Sequence, residues 1–153
     1  MLLLQFRVGR ERYGLDAAEV IEVVPRVTFR EIPHADPAVA GLINYRGTPV
    51  PVIDVTALMT GEPSRPFFST RIILADYPDR DGGRRVLGLM AEGVTETVLC
   101  AEEDFRPLGV GVADAPYLGD IRLHPEGTIV RVKVKDLLTP ELQKALFAAT
   151  EDA

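Results

Sequence analysis

One cysteine, two histidines and a run of three carboxylates are the residues in this chain whose types suit catalysis or metal binding. A thiolate at Cys100 activated by His34 or His124 would carry out acyl or thiol transfer. No spacing frames such a pair, however, and Cys100 closes an apolar run in which a small packed side chain is the plain reading. The same count excludes an internal disulfide and leaves too few soft ligands for a structural zinc site. Glu102-Glu103-Asp104 gathers negative charge, but a calcium loop needs oxygen ligands at defined alternate positions, so the run reads as a solvated acidic turn. Gly109-Val110-Gly111 lacks the further glycine and helix start of a dinucleotide motif, and no Gly-Lys-Ser/Thr phosphate loop occurs. The residues therefore point away from an enzyme and require neither metal nor cofactor.

Recognition is the chemistry that remains, and Arg46 is its best candidate. It lies in Gly41-Leu-Ile-Asn-Tyr-Arg-Gly-Thr-Pro-Val-Pro-Val-Ile-Asp-Val55, where two apolar runs flank the compact turn Asn44-Tyr45-Arg46-Gly47. Asn and Gly tolerate the positive φ of tight hairpin turns, so the spacing predicts a hairpin with Tyr45 and Arg46 at its tip. A planar guanidinium held there can pair with a partner's carboxylate or carbonyl oxygens. Pro49 and Pro51 remove two backbone donors from one side of the second strand. That loss predicts an edge position for Thr48–Val55, with Val50 and Val52 donating on the paired side.

The elements around the hairpin are mostly strands. Leu2, Leu4, Phe6 and Val8 alternate onto one face, and Gly9-Arg10-Glu11 turns the chain into a second strand. Asp16 to Glu19 has capping-box spacing, whereas Val20-Ile21-Glu22-Val23-Val24 is β-branched, leaving the segment ambiguous between a helical turn and a strand. Val27–Ile32 reads as extended and Pro33 to Pro37 as loop. Gly61 to Pro66 is linker-like, and Thr70–Tyr77 and Arg84–Ala91 form a strand pair around the polar loop at 79–83. Thr139-Pro140-Glu141 reads as N-cap, first helical residue and first-turn acid of a C-terminal helix whose stripe is Leu142, Ala145, Leu146 and Ala149.

The second half repeats the first. Arg12 to Val24 aligns with Val86 to Val98, pairing Gly14 with Gly88, and Pro33 meets Pro107 at the same offset. After small insertions, Gly47-Thr48-Pro49-Val50-Pro51-Val52 meets Gly127-Thr128-Ile129-Val130-Arg131-Val132. Each copy is the size of a five-stranded SH3-like barrel, giving an all-β chain of two barrel subdomains, approximately 1–66 and 67–153, with a C-terminal helix. The hairpin tip differs between copies more than the strand after it: Asn44-Tyr45-Arg46 becomes Arg122-Leu123-His124-Pro125-Glu126.

At 153 residues and a net charge of −6, the chain is large enough for one shared core and is a poor binder of phosphate backbones, so protein partners are expected rather than nucleic acid. No basic-then-apolar leader opens it, and no apolar run reaches the roughly 18 residues of a membrane span. The expectation is a cytoplasmic protein with no direct membrane insertion.

Phe6-Arg-Val-Gly-Arg-Glu-Arg-Tyr-Gly-Leu-Asp16, the hairpin motif from Gly41 to Asp54, and Val86-Leu-Gly-Leu-Met-Ala-Glu-Gly-Val94 together resemble the CheW family of chemotaxis coupling proteins over nearly the whole chain. That resemblance implies a single CheW-like domain over 1–153, made of two SH3-like barrels sharing a core. It also implies a non-catalytic adaptor between the cytoplasmic tips of methyl-accepting chemoreceptors and the regulatory domain of a CheA-type histidine kinase. By the same resemblance, the receptor-facing groove would include Val20, Glu22, Val23, Gly41, Asn44 and Arg46, while the kinase docks on barrel ends at residues the motifs do not identify. Two departures stand out: Tyr45 replaces the usual Leu, and Arg131, Lys133 and Lys135 give the closing strand Ile129–Asp136 a basic face that departs from the family's ordinary kinase and array-ring contacts, with an array scaffold without direct kinase contact as the alternative reading. Ser69-Thr70-Arg71 and the ending Val23-Val24-Pro25 are similar to adaptors of Wsp-type surface-sensing pathways that control cyclic-di-GMP.

Overall fold

The alternating N-terminal residues form β1 (Leu2–Val8), which turns at Gly9 and Arg10 into β2 (Glu11–Asp16). The computed structural model describes residues 1–78, 82–109, 115–125 and 127–151. Leu4, Phe6 and Val8 are buried on one face of β1, but Leu2 is exposed, and Leu3 is buried on the other face against Cys100 and Ile129. Asp16 caps a 3-10 turn by accepting from the Ala18 N–H at 3.0 Å, and β-branching prevails immediately after it in β3 (Val20–Pro25). The hairpin strands are β4 (Val39–Tyr45) and β5 (Thr48–Asp54). Next comes a short helix that the sequence reading missed, α1 (Val55–Thr60), with Asp54 accepting from the Ala57 N–H at 3.2 Å and Gly61 closing it at φ +81°. The second half supplies β6 (Arg71–Pro78), β7 (Arg84–Ala91), β8 (Thr97–Leu99), β9 (Phe105–Arg106), β10 (Leu118–Arg122), β11 (Ile129–Val132) and the terminal helix α2 (Pro140–Glu151).

These strands make two sheets, ordered β8-β1-β2-β11-β10-β9 and β3-β6-β7-β5-β4. Laying the sequence copies on the sheets matches β1, β2, β3, β4 and β5 with β6, β7, β8, β10 and β11. Both sheets then share one strand order, and each takes its first hairpin from one copy and its other three matched strands from the other. Each sheet thus draws strands from both sides of residue 66. The 3-10 turn at Ala17–Glu19 redirects the chain from β2 onto β6, and residues 92–96 carry it back from β7 onto β1. Gly14 and Gly88, paired in the sequence repeat, occupy the matched strands β2 and β7. A Cβ on Gly14 would lie 3.1 Å from Leu3 Cδ1, and one on Gly88 2.8 Å from Val52 Cγ2.

Three apolar clusters follow from this interleaving. Ile43, Val50, Val52, Ile72, Leu74 and Met90 fill the interior of the second sheet, and Leu3, Cys100 and Ile129 that of the first. The largest joins the sheets: Leu4, Phe6 and Leu15 meet Ile53, Ile73, Tyr77, Leu87 and Leu89, capped by Val134, Leu137, Leu146 and Phe147.

The edge position expected for β5 is wrong. β5 lies between β4 and β7, pairing antiparallel with β4 across its length and parallel with β7 through Val52, Ile53 and Asp54. The two prolines are tolerated because residues 48–51 face no strand on the β7 side. There the strands diverge, and the gap is lined by Arg85 and by Phe147 of α2, whose guanidinium and ring lie 4.8 Å apart.

The C-terminal helix begins as its capping signals require, with the Leu142 N–H donating to Thr139 Oγ1 at 3.1 Å. Its buried face differs from the expected stripe: Leu146 and Phe147 are buried and Leu142 partly so, Ala145 is exposed, and the Ala149 side chain lies outside the described residues. Also outside them are residues 79–81 of the polar loop, Val110 and Gly111, and Glu126.

Candidate partner-binding surface

Tyr45 and Thr48 close the β4–β5 hairpin as a cross-strand pair, leaving Arg46 and Gly47 as a two-residue turn at φ +51° and +85°. Both central residues of this turn type need positive φ, so it matches the strand twist but strains a non-glycine residue. The sequence reading places Tyr45 and Arg46 together at the tip and looks to Asn44 and Gly47 for the positive φ. Instead Asn44 remains in the strand, and its Oδ1 accepts from the Gly47 N–H at 2.8 Å, tying the turn shut. Arg46, exposed, takes the left-handed conformation at roughly 1–2 kcal/mol. Strain of that kind persists where the surroundings hold it, and it gathers at functional sites.

The surroundings here are a barrel seam. β3 and β4 are opposite edges of the second sheet, yet the Tyr45 hydroxyl on β4 donates to Glu22 Oε2 on β3 at 2.5 Å. The sheet has curled until its edges meet. Below that bond the segment following β3 completes the closure: Arg30 and Leu42 exchange backbone hydrogen bonds of 2.9 and 2.8 Å. Gly41 permits the approach, since a Cβ there, at φ +144°, would stand 2.6 Å from the Arg30 carbonyl oxygen and 2.9 Å from Phe29 Cβ.

Arg46 shares the seam carboxylate, with Nη2 3.6 Å from Glu22 Oε2 and the guanidinium carbon 5.2 Å from the Tyr45 ring centroid. Its side chain is 77% exposed and that of Glu22 40%. An ion pair so open to water adds at most about 1 kcal/mol to folding. Its value is directional: Tyr45 fixes Glu22, and the ring and the carboxylate together limit where the guanidinium lies. The hydrogen bond to Glu22, then lesser burial, then the repulsion of that carboxylate raise the Tyr45 phenol above its ordinary pKa, against a lowering by Arg46.

Of the six residues expected in a receptor groove, Glu22 and Arg46 meet directly, and Asn44 braces them from the turn. Gly41 is buried and acts through the backbone. Val20 and Val23 are half-buried on β3, packed against the shared core. Two residues were missed. Tyr45 departs from the family pattern, and the sequence alone assigns it no role. Ile21 sits at an irregularity in the β3–β6 register, which turns its side chain out to 48% exposure beside Glu22. The alternation of β3 gave no signal of that bulge.

The other candidates resolve as structural features. Cys100 is buried and accepts from Arg122 Nη1 at 3.0 Å, while His34 lines a groove beside α2. Glu102, Glu103 and Asp104 form an exposed 3-10 turn, and no group of His, Cys, Asp or Glu among the described residues has metal-holding geometry. The basic closing strand is shorter than expected. Only Arg131 lies in β11, where Glu102 at 3.3 Å and Asp16 at 4.0 Å engage it, whereas Lys133 and Lys135 fall in or beside the 3-10 turn that follows. No described helix is long and apolar enough to cross a membrane.

Comparison with known proteins gives a consistent result. The family described as CheW-like domain matches residues 2–140. The chemotaxis protein CheW of Klebsiella aerogenes is 27% identical over 141 residues, covering 90% of this chain and 81% of that protein. The chemotaxis protein CheW of Rhizobium meliloti is 29% identical over 105 residues, which are 69% of this chain and 64% of the relative's length. The crystal structure of the scaffolding protein TtCheW from Thermoanaerobacter tengcongensis superposes with a TM-score of 0.79 at 27% identity, covering 92% of this chain and 89% of that one.

Proposed function

Because the chain belongs to the family of CheW-like domains, we propose that it is a non-catalytic adaptor coupling methyl-accepting chemoreceptors to a CheA-type histidine kinase in bacterial signal transduction. The observation that carries this reading is the strained Arg46, held over Tyr45 and against Glu22 at the seam of the second barrel, where it presents a directed cation to a partner. The receptor tip meets this seam: Arg46 takes a carboxylate or helix-end carbonyls, Ile21 and the exposed edges of Val20 and Val23 supply apolar contact, and Asn44 and Gly41 keep the turn and seam in shape. The kinase regulatory domain binds elsewhere, so both partners are held at once in the cytoplasm.

Signal passes if the adaptor binds the two receptor states with different affinity, since a ligand shifts an equilibrium only by its differential binding. The experiment is calorimetric titration of the purified chain with a soluble receptor-tip fragment. One-to-one saturable binding is expected, weakened about thirtyfold in Arg46→Ala, the ~2 kcal/mol loss of a truncated hot-spot arginine. Equal affinity in the wild type and the variant removes Arg46 from the receptor contact.

A further inference from the structure

The loop 61–70 between α1 and β6 is fixed from both sides. Asp54, buried at the end of β5, accepts from the Ser64 N–H at 2.9 Å and its hydroxyl at 3.0 Å. The buried Thr70 hydroxyl donates to the Arg65 carbonyl at 2.5 Å, the Thr70 N–H to the Phe67 carbonyl at 3.0 Å, and the Val94 N–H to the Ser69 carbonyl at 3.0 Å. A loop pinned in this way nonetheless leaves Phe67 53% and Phe68 96% exposed. Aromatic rings presented to water from a fixed backbone are the composition of a docking anchor.

Beside Phe67 opens a cleft of about 670 Å³ between this loop, α1 and the β1–β2 turn, with Arg7, Arg10 and Arg65 on its walls. None of these three has an ion pair or side-chain hydrogen bond among the described residues. The stem of Arg7 packs on Gly93, where a Cβ would fall 3.1–3.2 Å from its Cβ, Cγ and Cδ, so its guanidinium projects from a fixed base. Two carboxylates share the walls: Glu92 accepts from the Thr56 hydroxyl at 3.2 Å, and Glu62 lies on the loop. Three guanidinium groups against two carboxylates leave the cleft positive, in a chain whose net charge is −6.

We propose that this cleft and the Phe67–Phe68 pair form a separate docking surface for an acidic segment of another protein, its carboxylates meeting the arginine forks and an apolar side chain resting on the rings. A concave site suits a protruding protein segment better than a lipid surface, and the chain's overall negative charge opposes an anionic bilayer. The surface is independent of the Arg46 seam. The hairpin turn lies at one end of the seven-residue β5 and α1 at the other, roughly 20 Å apart at about 3.3 Å per residue, so occupation of one leaves the other open. The proposal goes beyond the coupling reading and does not depend on it.

The test is selection of a random-peptide display library on the purified full chain, followed by fluorescence anisotropy of the enriched peptides at ~0.1 M salt. The expected winners are acidic with a large apolar residue. Their affinity should fall about tenfold or more in Arg65→Glu and in Phe68→Ala, weaken with added salt, and stay unchanged in Arg46→Ala. Both altered residues are exposed, and circular dichroism checks the fold of each variant. The proposal is overturned by no enrichment, by winners lacking acidic residues, or by binding that survives both substitutions. Self-association in sedimentation equilibrium that Phe68→Ala abolishes would overturn it in favour of a second copy of this chain. Binding to phosphatidylserine vesicles lost in Phe68→Ala would overturn it in favour of a membrane.

Discussion

Replacing Tyr45 by Phe removes one oxygen from the seam and leaves the ring beneath Arg46 in place, so it isolates the hydrogen bond to Glu22 from the stacking. A hydrogen bond to a carboxylate contributes about 1.5–3 kcal/mol. Water can reach Glu22, whose side chain is 40% exposed, and will replace much of it, leaving about 1 kcal/mol in receptor affinity or roughly fivefold. Arg46→Ala alone should cost about 2 kcal/mol. If Tyr45 acts only by orienting Glu22 and through it Arg46, the Phe substitution has nothing left to disturb once Arg46 is gone. The double variant should then lose about 2 kcal/mol rather than 3, a coupling of about 1 kcal/mol. Isothermal titration of the four proteins with one receptor-tip fragment reads that coupling, and thermal unfolding of the same four shows whether the seam itself has loosened. Additive losses, with unchanged melting temperatures, would refute the positioning role of Tyr45.

Three further outcomes follow from the same geometry. Gly41→Ala places a methyl 2.6 Å from the Arg30 carbonyl at a φ of +144°, so thermal or urea denaturation should show a loss of about 2–3 kcal/mol, while Gly47→Ala, strained in φ with nothing within 4 Å, should lose clearly less. Phe147→Ala removes a buried ring from the wall of the gap beside β5 and its contact with the Tyr77 ring at 5.6 Å; a loss of about 3–5 kcal/mol in urea unfolding is expected, with receptor affinity per folded molecule unchanged. In alkali, the raised Tyr45 phenol keeps its proton in the folded state beyond the pH at which the unfolded chain loses it. Its contribution is therefore full below about pH 10 and is lost as pH climbs through the folded value. Tyr13 and Tyr117 are raised by burial as well, so the quantity to measure is the difference between wild type and Tyr45→Phe in stability against pH.

Much of the fold is legible where a local rule and the tertiary structure agree. Thr139 and Pro140 start α2 where they should, because an N-cap hydroxyl followed by proline has little alternative use. The β4–β5 hairpin was evident from its turn, although Arg46 rather than Asn44 adopts the left-handed conformation. The failures occur where tertiary packing prevails. Pro49 and Pro51 argued for an edge, but a strand can be paired on one side for half its length, and β7 meets β5 only beyond the second proline. Asp54 and Gly61 did signal a helix between them, obscured by the β-branched Val55 and Thr56. The sequence repeat located matching strands without revealing that each sheet combines both copies, since nothing local decides which hairpin edge a strand will join. At the candidate site, family resemblance is what singles out Glu22 and Arg46, as expectations, whereas the Tyr45–Glu22 bond spans 23 positions and joins two sheet edges. Only the curl of the second sheet brings them together.

The coupling role itself is tested most directly by sedimentation velocity on three purified components: a soluble receptor-tip fragment, the kinase regulatory domain and this chain. The account predicts that the kinase domain moves with the receptor fragment only when the chain is present, and that Arg46→Ala detaches the receptor fragment while leaving the chain bound to the kinase domain. A kinase domain that sediments alone in the presence of folded chain and receptor fragment would contradict it.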